Sequence, residues 1–318
     1  MKIPTEQDAI RIVEEVTKEK VKEIKRFSTG KAHYVYDIVT EKRKLVARIA
    51  REDSIYYFEG ALYWYPILQE KTVPLPNLIY SEIDPGKHGF AVMIMDRLPG
   101  KDLGDVYQTL TKEQKKELAK TIASFQLKVQ KMPLGPGFGY AKSYKDSSLE
   151  RNYIDVVYAH LERSRGRITD EKVISYALIE KVKSIIDRHK EYFLAVEPRP
   201  FLDDTTTKNV IIDNGKLTGV VDVDFICFGD ILQLIGLINM ALLEKKFETD
   251  YVDYLIEELK LDKEQKTILN LYTLLSAVDF LTAHGHVFNQ DKLQIEKDQI
   301  EYLKSVLDNY LHLLDTSF

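Results

Sequence analysis

The sequence predicts an α+β protein with two unequal lobes. Strand-like runs crowd into the first hundred residues, helical periodicity takes over after Leu103, and one hairpin interrupts the helical part just past residue 208. On that pattern residues 1–98 form a small, mostly antiparallel β lobe and residues 99–318 a larger helical lobe.

Residues 5–18 read as an amphipathic helix opened by Thr5 with Asp8 three positions on, and Ile10, Ile12, Val13 and Val16 form its apolar face. Strand-like runs follow at 21–28, 34–40 and 44–50. The first two are joined by Ser28-Thr29-Gly30-Lys31, which lacks the upstream Gly and the Ser or Thr after Lys of a Walker loop. In the third run Arg48 interrupts apolar residues, and a cation buried there needs an anion. Arg51, an odd number of positions away, points to the other face. Residues 78–81 make a fourth strand, and 90–95 a buried fifth that ends in Asp96-Arg97-Leu98-Pro99-Gly100.

Thr111 and Gln114 make a capping box ahead of Leu118, Ile122, Phe125 and Val129 at helical spacing. Residues 134–140 are a breaker-rich loop on which no helix opens, so they are not a dinucleotide fingerprint. Helices are expected at 147–163 and 170–193, then at 232–243, 250–259, 262–284 and 293–314.

The segment from Phe201 to Asp230 carries the chemistry. Residues 209–212 read as a buried strand, Asp213-Asn214-Gly215 as a tight turn, and 217–221 as the returning strand. A hairpin of this length is expected to bring Asn209 and Asp222 together, with Asp204 on the loop feeding into it. Two oxygen ligands beside a free carboxylate suit a hard divalent cation and a hydroxyl awaiting deprotonation. That is the equipment of phosphoryl transfer.

Asp-x-x-x-x-Asn, a hairpin and a second Asp resemble the aminoglycoside phosphotransferase and choline kinase-like family. Its pattern runs His-Gly-Asp-x-x-x-x-Asn, a hairpin, Ile-Asp-Trp-Asp/Glu and a later Gly-Asp. The matching residues are Leu202-Asp203-Asp204, Asn209, Val221-Asp222-Val223-Asp224 and Gly229-Asp230. Asp203 replaces Gly, and Leu202 replaces the His that braces the loop, a position that hygromycin-type kinases also relax.

The resemblance implies a protein-kinase-like two-lobed fold. It makes Asp204 the acceptor of the hydroxyl proton and gives magnesium to Asn209 and Asp222. It gives the nucleotide phosphates to Arg48, paired with Glu59 on the next helix. It also assigns Ser28 and Gly30 to a loop over the nucleotide, and Met95 and Arg97 to the lobe-linking segment whose backbone reads the base. The donor it implies is ATP or GTP, and the acceptor a small hydroxyl compound such as an aminoglycoside or amino alcohol. A catalytically silent nucleotide-binding protein is the competing reading, suggested by Leu202-Asp203; nucleotide consumption separates the two. A protein kinase is disfavoured, since only Val223 to Phe228 separate Asp222 from Gly229-Asp230 and leave no room for an activation segment.

Composition narrows the partners. A net charge of −5 gives no electrostatic case for nucleic acid or anionic membrane. The single cysteine, Cys227, excludes an internal disulfide and fits a reducing compartment. No apolar signal region opens the chain and no apolar run approaches membrane length, so a cytoplasmic location is expected. His284-Gly285-His286 has no further ligand at metal-site spacing, and the acidic set from Glu248 to Glu258 reads as a solvated helix face.

Overall fold

The computed structural model describes residues 3–27, 33–288 and 291–316. The chain divides into two compact units, Met1–Lys101 with Ile211–Phe225, and Asp102–Val210 with Ile226–Phe318.

The first unit opens with α1 (Glu6–Thr17), where Thr5 Oγ1 accepts from the Asp8 amide and the Asp8 carboxylate accepts from the Thr5 amide. Strands β1 (Val21–Arg26), β2 (Tyr34–Thr40) and β3 (Lys44–Ala50) lead to α2 (Ile55–Glu70). Then come β4 (Leu78–Glu82), the short helix α3 (Pro85–His88), β5 (Ala91–Asp96) and β6 (Lys101–Asp102). The five-stranded sheet runs β1-β2-β3-β5-β4, each neighbour antiparallel. Strand alternation decides its two faces. Leu45, Ala47 and Ile49 of β3 join Tyr36 and Ile38 of β2 and Val92 and Ile94 of β5 under Ala9, Ile12 and Val13 of α1. Arg48 therefore points to the opposite face, where it is 5% exposed.

The second unit continues with α4 (Leu103–Val106), α5 (Lys112–Val129), β7 (Gly139–Ala141), α6 (Tyr153–Gly166), α7 (Tyr176–Arg188), α8 (Lys190–Ala195) and β8 (Arg199–Phe201). Strands β9 (Val210–Asp213) and β10 (Lys216–Val220) form the hairpin, which groups with the first unit. Asn214 and Gly215 take φ of 49° and 75° at its tip, the left-handed pair that a two-residue hairpin turn demands. The second unit resumes with β11 (Ile226–Gly229), α9 (Leu232–Glu244), α10 (Asp250–Leu259), α11 (Lys263–Thr282), β12 (Val287–Phe288), β13 (Asp291–Lys292) and α12 (Lys297–Asp315). Helices α9, α11 and α12 pack in succession, α5 lies on α10, and a small sheet β7-β11-β8 leads into the loop after Phe201.

Helix boundaries differ from the sequence expectation in several places, among them the helix expected from 170, which begins at Tyr176. The helix expected at 147–163 begins at Tyr153, because the Asp146 carboxylate accepts from the Lys142 and Ser148 amides and Phe138 and Glu150 exchange two backbone hydrogen bonds. The run at 170–193 splits into α7 and α8 around His189, whose amide closes the last turn of α7 on the Ile186 carbonyl. The helix expected from 293 starts at Lys297, since β13 occupies Asp291–Lys292. The acidic stretch near 250 is partly structural: Asp250 accepts from Lys115 Nζ at 2.9 Å and from the Tyr107 hydroxyl at 2.9 Å.

Candidate active site

In the first unit the side chains are arranged around Arg48. Its Nη1 donates to Asp224 Oδ1 at 2.7 Å and its Nη2 to Asp224 Oδ2 at 2.6 Å, a two-pronged pair with both partners buried. Nη2 also donates to Asp222 Oδ1 at 2.9 Å. His33 Nε2 stands 3.4 Å from Asp224 Oδ2, and Phe58 offers its ring to the guanidinium at 5.4 Å. Burial works against the charge on Asp224, but the fields of Arg48 and His33 hold its pKa at about 2. Burial works against Arg48 too, and the two carboxylates more than offset it, so its pKa rises.

The pairing expected from the sequence is corrected here. Arg48 meets Asp224 and Asp222, residues distant along the chain, while Glu59 lies exposed on α2. The cause is helical phase. Phe58, Gly60, Ala61, Trp64 and Tyr65 form the buried side of α2, which turns Glu59 outward. Gly60 next door is the residue the site depends on. A Cβ there would lie 2.2 Å from the Asp224 carbonyl oxygen, so only glycine lets α2 approach the 222–224 turn.

Asp222 itself adopts φ of 61°, a conformation a non-glycine residue holds only when its surroundings fix it. Half of its side chain is open to solvent, with Oδ1 given to Arg48 and Oδ2 unused by Arg48. That second oxygen is a suitable ligand for a hard cation. Both oxygens of Asp224, by contrast, already accept from Arg48.

Among the other predicted nucleotide residues, Ser28 and Gly30 lie outside the described residues. Met95 is buried in β5, and Arg97 Nε reaches Asp37 Oδ1 at 3.4 Å with its guanidinium over Phe27. The amides of Asp96 and Arg97 donate to the Asn77 and Lys44 carbonyls at 3.0 and 3.1 Å. Those two donors are therefore not available to a base edge.

In the second unit the loop after β8 presents Asp204 at the surface. Asn209 Nδ2 donates to the Asp204 carbonyl at 2.9 Å, and Thr206 Oγ1 donates to Asp204 Oδ1 at 3.2 Å. Sequence reasoning missed what braces this loop in place of the absent His. Gln126 of α5, 1% exposed, accepts from the Leu202 amide at 3.1 Å and donates to the Leu202 carbonyl at 2.8 Å and to Thr205 Oγ1 at 2.9 Å. The Gly104 amide adds a bond to the Thr207 carbonyl at 2.8 Å. The available signal was a Gln among the apolar positions of an amphipathic helix, which nothing in the sequence linked to residue 202.

Asp230 ends the segment. Tyr192 and Tyr272 donate to its Oδ2 at 3.0 and 3.1 Å, and the Leu232 amide to its Oδ1 at 3.0 Å. Burial raises its pKa to about 6 against the pull of those three bonds. Gly229, at φ 155°, is needed because a Cβ would lie 2.2 Å from the Tyr153 ring.

The profile of the phosphotransferase enzyme family matches residues 23–258, close to three quarters of the chain. No curated protein matches the sequence. Solved structures do resemble it in fold. Aminoglycoside phosphotransferase APH(4)-Ia superposes with a TM-score of 0.69 at 16% identity, over 97% of this chain and 99% of that one. The GDP complex of aminoglycoside 2'-phosphotransferase-IIIa gives 0.69 at 13% identity, covering 97% and 98%. ADP-bound APH(2'')-Ib gives 0.62 at 15%, covering 97% and 98%. The kinase-like fold and the family match agree, and the chain belongs to the phosphotransferase enzyme family.

Proposed function

We propose that the protein transfers the γ-phosphoryl group of ATP or GTP to a hydroxyl of a small molecule in a magnesium-dependent reaction. The observation that carries this reading is the state of Asp204: a surface carboxylate on a loop whose backbone is tied at Leu202, at its own carbonyl and at Thr207. A group that must orient a hydroxyl and take its proton needs that combination of openness and fixed position. Magnesium, when bound, would neutralise charge on the phosphates. The family resemblance gives it to Asn209 and Asp222, and each of these side chains has an oxygen of the kind that suits a hard cation. Arg48 would exchange part of its hold on Asp222 for a phosphate, anion for anion.

One observation favours the silent alternative. Both terminal nitrogens of Arg48 are already committed to carboxylates. The deciding experiment is a nucleotide-consumption screen against aminoglycosides, amino alcohols, sugars and hydroxy acids, with and without magnesium. Magnesium-dependent product formation that Asp204→Asn abolishes supports the kinase. Nucleotide binding by titration with no turnover across the panel supports the silent reading.

A further inference from the structure

The second unit contains a cavity of about 360 Å³ between β7, α6, the first turn of α9, and α11. Tyr140, Glu150, His160, Arg163, Gln233 and Tyr272 are among its polar lining. Its size falls at the lower end for small-molecule sites. Within this unit it lies close to the catalytic loop. Tyr140 pairs across Cys227 with Phe201, two strand spacings or roughly 10 Å. Phe201 leads directly into residues 202–204, and the charge of Asp203 acts on the Tyr140 phenol.

The hydrogen bonds in the wall fix what it offers a ligand. The Tyr153 hydroxyl donates to Gln233 Oε1 at 2.9 Å, which turns Gln233 Nε2 to donate to the Tyr140 hydroxyl at 3.2 Å. Tyr140 is thus an acceptor on one side and keeps its own proton to give. Although the ring is 42% exposed, crowding around the hydroxyl and the Asp203 charge push the phenol pKa up, so that proton stays in place at neutral pH.

Arg163 and His160 sit three apart on α6 and share a face. Asp279 Oδ1 takes its closer bonds from Arg167 at 2.9 Å and Ser164 at 3.1 Å, and meets Arg163 only at 3.6 Å. The guanidinium of Arg163 therefore retains donors for a ligand. His160 Nε2 is sheltered and makes no hydrogen bond. Burial and the neighbouring arginines hold that imidazole neutral, with a pKa of about 4. Against these groups the wall sets one carboxylate, Glu150. Asp203 acts on Tyr140 and Asp279 on Arg163 and Arg167 from behind the wall, so the lining itself sets one carboxylate beside one arginine.

We propose that this cavity receives the acceptor and selects a small hydroxyl compound bearing a carboxylate, held by Arg163 and the Tyr140 hydroxyl. The assignment rests on the kinase reading and departs from the amine-rich acceptors implied by the family resemblance. One planar guanidinium with one neutral donor matches a carboxylate in charge and shape.

The test is isothermal titration of the full chain, without nucleotide, with glycerate, 4-hydroxybutyrate and gluconate. Glycerol and sorbitol serve as uncharged matches, and hygromycin B as the polycation. The hydroxy acids should bind at least tenfold more tightly than their uncharged matches. Arg163→Gln should weaken them by about ten- to a hundredfold, the scale of a lost hydrogen bond to a charged group. Arg163→Lys should restore part of the loss, and Tyr140→Phe should cost several-fold on an otherwise intact wall. Hygromycin B or the polyols binding as tightly as the hydroxy acids would overturn the assignment. So would hydroxy-acid binding that Arg163→Gln leaves within twofold, or no hydroxy acid binding at all. Turnover separates this from the kinase reading. Hydroxy acids that bind but consume no nucleotide with magnesium would count against the kinase, whereas phosphorylation of hygromycin B would count against the pocket alone.

Discussion

Asp224 and Asp230 stand six positions apart, both buried, and their carboxyl groups are shifted in opposite directions. Burial alone would raise both. Asp224, in the first unit, faces a guanidinium and is held at about 2. Asp230, in the second, faces two tyrosine hydroxyls and an amide and is raised to about 6. Three neutral donors do not repay the loss of water around a carboxylate, whereas one two-pronged cation does. What a buried carboxylate becomes is set by whether its partner carries charge, and each unit has chosen differently.

Neither buried carboxylate is placed to take a proton from substrate, and the exposed Asp204 marks the contrast. Asp204→Asn is expected to lower turnover by roughly two to four orders of magnitude, the span of a positioned general base, with the unfolding midpoint unchanged. Near-native turnover would move the base elsewhere, with Asp203 first to be examined.

Breaking the charged side of the comparison should produce the largest loss of stability. Arg48→Ala strands Asp224 without its cation and should cost about 3–5 kcal/mol in urea unfolding. Adding Asp224→Asn should recover part of that loss. A drop below about 1 kcal/mol in the single variant would mean that Asp224 finds another partner.

The neutral side is read through pH. The pKa of Asp230 is raised above its unfolded value, so the unfolded chain ionises first and stability falls as pH rises from about 4 to about 6, then levels off. A shift from 3.8 to about 6 corresponds to on the order of 3 kcal/mol. Denaturant titrations across that window should show the fall in the wild type and a flatter profile in Asp230→Asn. Parallel profiles for the two proteins would show that Asp230 is already ionised at pH 4.

The smallest effect belongs to Gln126→Leu, which leaves the Leu202 amide unpaired in the interior and its carbonyl with only the 3.4 Å bond from Thr205 Oγ1. About 1–3 kcal/mol of stability should be lost, with kcat reduced more than the nucleotide KM and no change in pH dependence. If kcat holds while stability falls, the clamp supports the fold without setting the loop.

What was legible in the sequence was local. The capping boxes at Thr5 and Thr111 stand as their three-residue spacing dictates, and the turn at Asp213-Asn214-Gly215 has the φ signs its composition demands. The strand-like runs along the chain were legible from alternation and turn residues. The partner of Arg48 was not legible in the same way. The sequence shows that a cation is interrupting an apolar strand, but its anion comes from a turn more than 170 residues later. The carboxylate on the next helix was the nearer choice, and helical phase alone ruled it out. Gln126 was hidden for a related reason, since an uncharged amide leaves no imbalance that a sequence reader would seek to settle.

The clamp on Leu202 has a geometric consequence. A side-chain amide presents an N–H and a C=O side by side, the same pair that a peptide group shows to a neighbouring strand, with a second N–H to spare. Gln126 gives both to a single residue immediately after β8, and so adds one rung to that strand from a helix. The rung acts as a zero mark for the loop. Asp204 is counted off two residues beyond it, and an insertion or deletion between them would rotate the carboxylate to another bearing while leaving the motif itself intact.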